Sequence, residues 1–108
     1  MNRGELLKGN LDMLLLSIIA ERPSHGYAII EQLRERSRGA FDLPEGTVYP
    51  ALHRLEAAGF VASRWSDVGG RRRRVYEIRR RGRTALTSAT EEWGAFARAV
   101  RAVIAEGV

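Results

Sequence analysis

The chain has 108 residues, no cysteine, two histidines and a formal net charge of +5 from 18 basic and 13 acidic side chains. Without thiols there is no disulfide framework, zinc finger or cysteine nucleophile, and two histidines alone make a poor metal site; no metal or cofactor is expected. At 44% hydrophobic residues the chain holds enough apolar material for one small core.

The basicity is local. Residues 64–83 carry nine arginines against Asp67 and Glu77, so +7 sits in that stretch and the remainder of the chain is −2. A field concentrated in this way attracts polyanions, nucleic acid above all, whereas the bland reading is surface decoration in an arginine-rich proteome. The apolar run 11–20 is interrupted by Asp12 and followed by Glu21-Arg22-Pro23 rather than a small-residue cleavage site. It is also too short to cross a bilayer. The expectation is a cytoplasmic protein with no membrane partner.

In chain order, Leu7, Leu11, Leu14, Leu15, Ile18 and Ile19 recur at helical spacing, with Asn10 as N-cap and Pro23 as stop. Ser24 is expected to cap a second helix through Tyr27, Ile30 and Leu33, ended by residues 37–39. A third helix begins within residues 45–56, with Pro50 in or near its first turn. Its Val48, Leu52 and Leu55 point inward; Pro50, His53, Arg54 and Ala57 point outward, with Thr47 and Tyr49 at the edges. Residues 60–65 and 75–78 read as a hairpin around the turn 66–70, its tip loaded with Arg71, Arg72, Arg73 and Arg74. From Thr84 onward Leu86, Ala89, Trp93, Phe96, Val100 and Val103 form an a/d seam, widened by Ala97 and Ile104. One side of that helix should pack on the first helix and the other on a second copy of the chain. Gly94 marks a close approach or a bend. The fold class is therefore mainly α with a small β-hairpin: a winged helix-turn-helix over residues 1–79, then a long C-terminal dimerisation helix over residues 80–108.

Several blocks resemble the PadR-like transcriptional regulators: Leu7-Lys8-Gly9-Asn10-Leu11-Asp12, His25-Gly26-Tyr27, the run from Glu45-Gly46-Thr47-Val48-Tyr49-Pro50 through Ala51-Leu52-His53-Arg54-Leu55-Glu56, Gly59, and Gly70-Arg71-Arg72-Arg73 before Val75-Tyr76. The likeness covers residues 6–103 and looks like the compact branch with a single C-terminal helix. It implies a homodimeric winged-helix regulator, usually a repressor of an inverted-repeat operator, often released by a small molecule. In one place the chain departs from the pattern. Where the family opens its last helix with threonine and, three residues on, glycine, this chain reads Arg79-Arg80-Arg81-Gly82. Losing such a cap costs about 1 kcal/mol, and cations oppose the dipole at a helix N-terminus. Either residues 79–83 extend a phosphate-binding surface at the base of the wing or they form a solvated face.

A recognition helix needs a low outer face to enter the major groove, which Pro50 and Ala57 provide. Thr47, Tyr49, His53 and Arg54 flank them and can reach base edges or phosphates of double-stranded DNA, Arg54 by a forked pair. Tyr49 could equally be a half-buried packing ring and His53 an ordinary solvated side chain. His25 and Tyr27 read as cap or core residues before DNA contacts. The wing arginines supply affinity more than sequence preference. Trp93 faces its twin across the two-fold, where Phe96, Val100, Leu11 and Leu15 would line either a slot for a planar aromatic effector or a dry interface. Competing readings are a winged-helix protein-interaction module and an RNA-binding module. No phosphate-cradling glycine loop, catalytic triad spacing or paired carboxylates point to an enzyme.

Overall fold

Two helices open the chain, α1 (Arg3–Lys8) and α2 (Leu11–Glu21), in a computed structural model that describes residues 3–106. The corner between them is made by Asn10, which takes the expected N-cap position of α2 and accepts from the Leu14 N–H through its carbonyl, while its side-chain amide makes no capping bond and donates back to the Leu6 carbonyl at 2.8 Å. The apolar spacing of α2 gives it a broad buried face of Leu11, Leu15, Leu16, Ile18 and Ile19. Leu15 is fully enclosed.

After Pro23 the backbone extends into a two-residue strand, β1 (Ser24–His25), that sequence periodicity did not reveal. It leads directly into α3 (Gly26–Arg36). The cap of α3 is His25, not Ser24: the His25 Nδ1 accepts from the Ala28 N–H at 3.2 Å, while the Ser24 hydroxyl donates to the Arg22 carbonyl. Helix α3 buries Gly26, Ile29 and Leu33 and turns Tyr27 outward. Arg38 and Gly39 end it with positive φ, and the Gly39 N–H closes on the Arg34 carbonyl at 2.8 Å.

Helix α4 (Glu45–Ala57) buries Val48, Ala51, Leu52 and Leu55, the inward face read from the sequence. Pro50 lies in its second turn rather than its first, because the helix already starts at Glu45. There it removes the N–H that would bond the Gly46 carbonyl, and both residues lie on the exposed side. Gly59, with φ +82°, stops the helix, and the Phe60 N–H reaches back to the Leu55 carbonyl at 3.0 Å.

Strands β2 (Val61–Ser66) and β3 (Arg73–Ile78) form the hairpin, joined through a short 3-10 turn, Val68–Gly70, in which Gly69 takes φ 75°. The sheet is antiparallel with order β1-β3-β2, pairing Ser24 with Tyr76 on one side and Ser63 with Tyr76 on the other. Tyr76, central and 1% exposed, keys the sheet into the helical core.

The last helix, α5 (Arg80–Glu106), starts four residues earlier than its apolar seam suggested. In place of a threonine cap, the backbone starts it: the Arg79 N–H bonds the Phe60 carbonyl at 2.9 Å and the Arg83 N–H bonds the Arg79 carbonyl at 3.0 Å. At 27 residues it is about 40 Å long and gives the protomer its elongated 56 × 28 × 20 Å extent. It packs on α2 and buries Ala97. Its opposite stripe is bare: Trp93 is 43% exposed, Phe96 68%, Val103 73% and Ile104 61%. A Cβ on Gly94 would meet the Arg98 guanidinium at 3.3 Å, so among the described residues no other element makes the close approach expected there.

Candidate nucleic-acid interface

Three local features bring one surface together. Pro44 and Glu45 start α4 so that Pro50, His53, Arg54 and Ala57 face out. Gly26 allows α4 and the start of α3 to close up, because the Tyr49 ring lies where any side chain on residue 26 would be. The 3-10 turn then folds β3 back so that residues 71–74 stand beside α4. Between helix and wing runs an open cleft of about 460 Å³ lined by His25, Tyr27, Tyr49, His53, Trp65 and the four arginines 71–74.

The four arginines are not equivalent. Arg74 lies on the helix side of β3, where its Nε donates to the Ser63 hydroxyl at 2.7 Å, and Ser63 in turn donates to the Glu56 carboxylate at 2.8 Å. Arg72 and Arg74 both pack on Trp65, with guanidinium carbons 4.8 and 5.3 Å from the ring centroid. Such a ring holds its cations electrostatically without neutralising them. Arg73 stands against His25. Arg71 is exposed and has no ion pair among the described residues.

The other sequence-derived candidates divide similarly. His53 and Pro50 are exposed on the α4 face, and Thr47 is half-buried. Tyr49 is also half-buried, packed over Gly26, and burial raises its hydroxyl pKa with the Glu45 carboxylate adding to the effect. Tyr27, at the mouth of the cleft, has a raised pKa chiefly because its hydroxyl is hydrogen-bonded to Glu45. Arg54 is held by Asp12 of α2 at 2.8 Å, across the joint between α2 and α4. Asp12 and Trp65 are thus members of the surface to which the sequence reading gave no such part, while His25, read as a cap or core residue before a DNA contact, is both the α3 cap and part of the cleft lining. The sequence signal for Trp65 was its place at the end of a strand facing an arginine run; that Arg74 is its cross-strand partner follows only from the observed register. Residues 79–81, by contrast, border a second open hollow with Gly59 and Phe60, at the opposite end of the hairpin from its tip. Six strand residues separate the two ends, or roughly 20 Å. Leu11 and Leu15 lie inside the protomer's own core, apart from the bare stripe of Phe96 and Val100.

Burial, followed by the nearby Arg73 charge, lowers the pKa of His25. The folded state therefore binds fewer protons than the unfolded chain, in which the ordinary value near 6.5 applies. The resulting contribution to stability is in place above that value and is lost as pH falls through the folded-state pKa. His25→Asn, which keeps a side-chain acceptor for Ala28, should flatten the fall in Tm between about pH 7 and pH 5, read by circular dichroism; His25→Ala should cost about 1 kcal/mol at neutral pH.

A sequence profile of the PadR-like transcriptional regulator family matches residues 15–88. The chain belongs to that family. Transcriptional regulator Rv3488 of Mycobacterium tuberculosis is 39% identical over 83 residues, spanning 77% of this chain and 75% of the relative. A crystal structure of a PadR family transcriptional regulator from Eggerthella lenta superposes with a TM-score of 0.80 at 31% identity, covering 93% of this chain and 86% of that one. A PadR family regulator from Clostridium difficile does so at 0.79 and 32%, covering 88% and 98%. This PadR-like regulator is accordingly a DNA-binding transcription regulator and not an enzyme. Among its described residues no helix is long and apolar enough to cross a membrane.

Proposed function

We propose that the chain acts as a homodimeric repressor that inserts α4 of each protomer into the major groove of an inverted-repeat operator and grips the flanking backbone with the wing. The observation that carries this reading is the cleft between α4 and the hairpin, where Arg71, Arg72 and Arg73 stand beside the exposed face bearing Pro50, His53 and Arg54. Helix depth and wing charge on one side of the molecule suit a groove and the phosphates bordering it. The bare stripe of α5 supports the dimer, since apolar side chains exposed over several turns of one helix are covered by a partner in soluble proteins. Trp93 on that stripe, facing its twin, supports a planar aromatic effector bound between two indoles. Release follows if the effector changes the angle between the protomers and hence the spacing of the two α4 helices.

Footprinting on the DNA upstream of the chain's own gene, with and without candidate aromatic compounds and with Trp93→Ala, tests this reading. Protection of two half-sites about 34 Å apart is expected. Equal binding to structured RNA, or binding to neither, would favour the RNA-binding or protein-interaction reading.

The Arg54 pair with Asp12 makes a separate prediction. Asp12 holds one terminal nitrogen of Arg54 and neutralises its charge, and an exposed pair of this kind contributes no more than about 1 kcal/mol. Asp12→Asn should therefore tighten duplex binding by about twofold to fivefold in a fluorescence titration at low salt. Unchanged or weaker binding would mean that Asp12 aims Arg54 rather than restrains it.

A further inference from the structure

His25 caps α3 with Nδ1, at 3.2 Å from the Ala28 N–H. A neutral imidazole has one lone pair in the ring plane, so a ring that accepts at Nδ1 carries its proton on Nε2. The nearest polar group to Nε2 is not an acceptor. It is the Arg73 guanidinium, whose terminal nitrogen lies 2.7 Å from Nε2 and 3.4 Å from Nδ1. Those two distances differ by far less than the separation of the two ring nitrogens. The guanidinium therefore stands beside the ring and off the Nε2 axis. Two donors, one neutral and one cationic, thus sit together with no acceptor for Nε2 among the described residues. Of the other groups around His25, Arg64 of β2 and Arg71 border the same hollow as Arg73 and are cationic, and Glu31 of α3 acts only as a distant charge.

What this arrangement lacks is an anionic oxygen placed between Nε2 and the guanidinium. We propose that His25 and Arg73 form a joint seat for one backbone phosphate of the bound duplex, the imidazole donating from Nε2 and the guanidinium from its terminal nitrogen. The seat rests on the duplex-binding reading above and adds to it a contact from the start of α3, where Gly26 packs against Tyr49 of α4. The cap thereby gains a second role, because the Ala28 bond fixes the tautomer and so aims the donor.

A double-mutant cycle on the full-length chain tests this, with binding to a mixed-sequence duplex measured across a chloride series. His25→Asn and His25→Asp both retain a side-chain acceptor for Ala28, so unchanged Tm separates binding from folding. His25→Asn should weaken binding about threefold to tenfold, and His25→Asp more, because a carboxylate repels the phosphate. After Arg73→Gln, the further loss from His25→Asn should shrink, since both groups would hold one phosphate. Wild-type affinity in His25→Asn, or losses that simply add, would overturn the seat while leaving duplex binding intact. A wild-type chain that ignores duplex DNA would overturn both. Replacing chloride by inorganic phosphate at equal ionic strength should release the wild type from the duplex more than His25→Asn, because free phosphate competes for the same seat. Equal release of the two would overturn the seat, and a His25→Asn chain that binds duplex like the wild type in chloride alone but loses this phosphate effect would assign it to free phosphate instead.

Discussion

Gly82→Ala should unfold the protein at a much lower temperature, although alanine is the better helix former. Gly82 is buried in the first turn of α5, and a methyl group there falls inside the Phe60 carbonyl oxygen and 2.9 Å from the Ile78 Cγ1. The backbone neighbour cannot move cheaply, because Phe60 closes α4 and its carbonyl also receives the Arg79 N–H. The gain of roughly 1 kcal/mol in propensity is outweighed by a clash on the order of 3 kcal/mol. That corresponds to a Tm lower by roughly 10 °C at fixed protein concentration. Gly94→Ala in the same helix provides the control, since its methyl meets only the flexible Arg98 guanidinium at 3.3 Å. It should be neutral or stabilising by up to about 1 kcal/mol. Equal effects at the two sites would mean that α5 does not dock on the Phe60 backbone.

Replacing Arg71, Arg72, Arg73 and Arg74 together by glutamine should all but abolish duplex binding while leaving the fold in place. If each subunit neutralises about three phosphates, the wild-type dimer loses affinity with a log–log salt slope of about −5, and most of that slope should disappear. At low salt the affinity should fall by roughly a hundredfold or more. The structure further ranks the single replacements. Arg71, exposed and without an ion pair among the described residues, should cost slope and affinity when replaced by glutamine; Arg74, tied to Ser63 and stacked on Trp65, should cost more stability and less slope. An unchanged salt dependence in the quadruple variant would remove the wing from the interface. Gel-shift series at several chloride concentrations, beside thermal melts, read both quantities.

Much of the architecture was legible because it depends on local periodicity and local punctuation. The inward face of α4 follows from spacing alone, and its end follows from Gly59, where only a residue at ease with positive φ lets the chain turn. The hairpin was announced by its β-branched and aromatic runs around a glycine pair. Strand β1 was not legible, because two residues have no period and exist as a strand only through pairing with β3. The α3 cap was legible in kind but not in position, since the sequence offered both Ser24 and His25 for it. Ser24 is the better capping residue by type, but once β1 pairs with β3 the helix begins one residue later, and His25 occupies the capping position.

The candidate site divides along the same line. That arginines cluster at residues 71–74, and that α4 carries a low outer face with Arg54 and His53, are properties of composition and helical phase, which the chain carries before it folds. Which arginine is free, which is stacked and which faces an imidazole depends on strand register and on the distance between elements far apart in sequence. So does the Asp12 hold on Arg54, made between residues on separate helices. The enclosure of Leu11 and Leu15 was decided in the same way, since periodicity identifies an apolar face but not which surface covers it: α2 lies at the centre of the protomer's own core, whereas α5 keeps its outer stripe bare. Hydrophobic phase and turn chemistry are local and survive in a one-dimensional reading; partner choice is made by packing, which needs the third dimension.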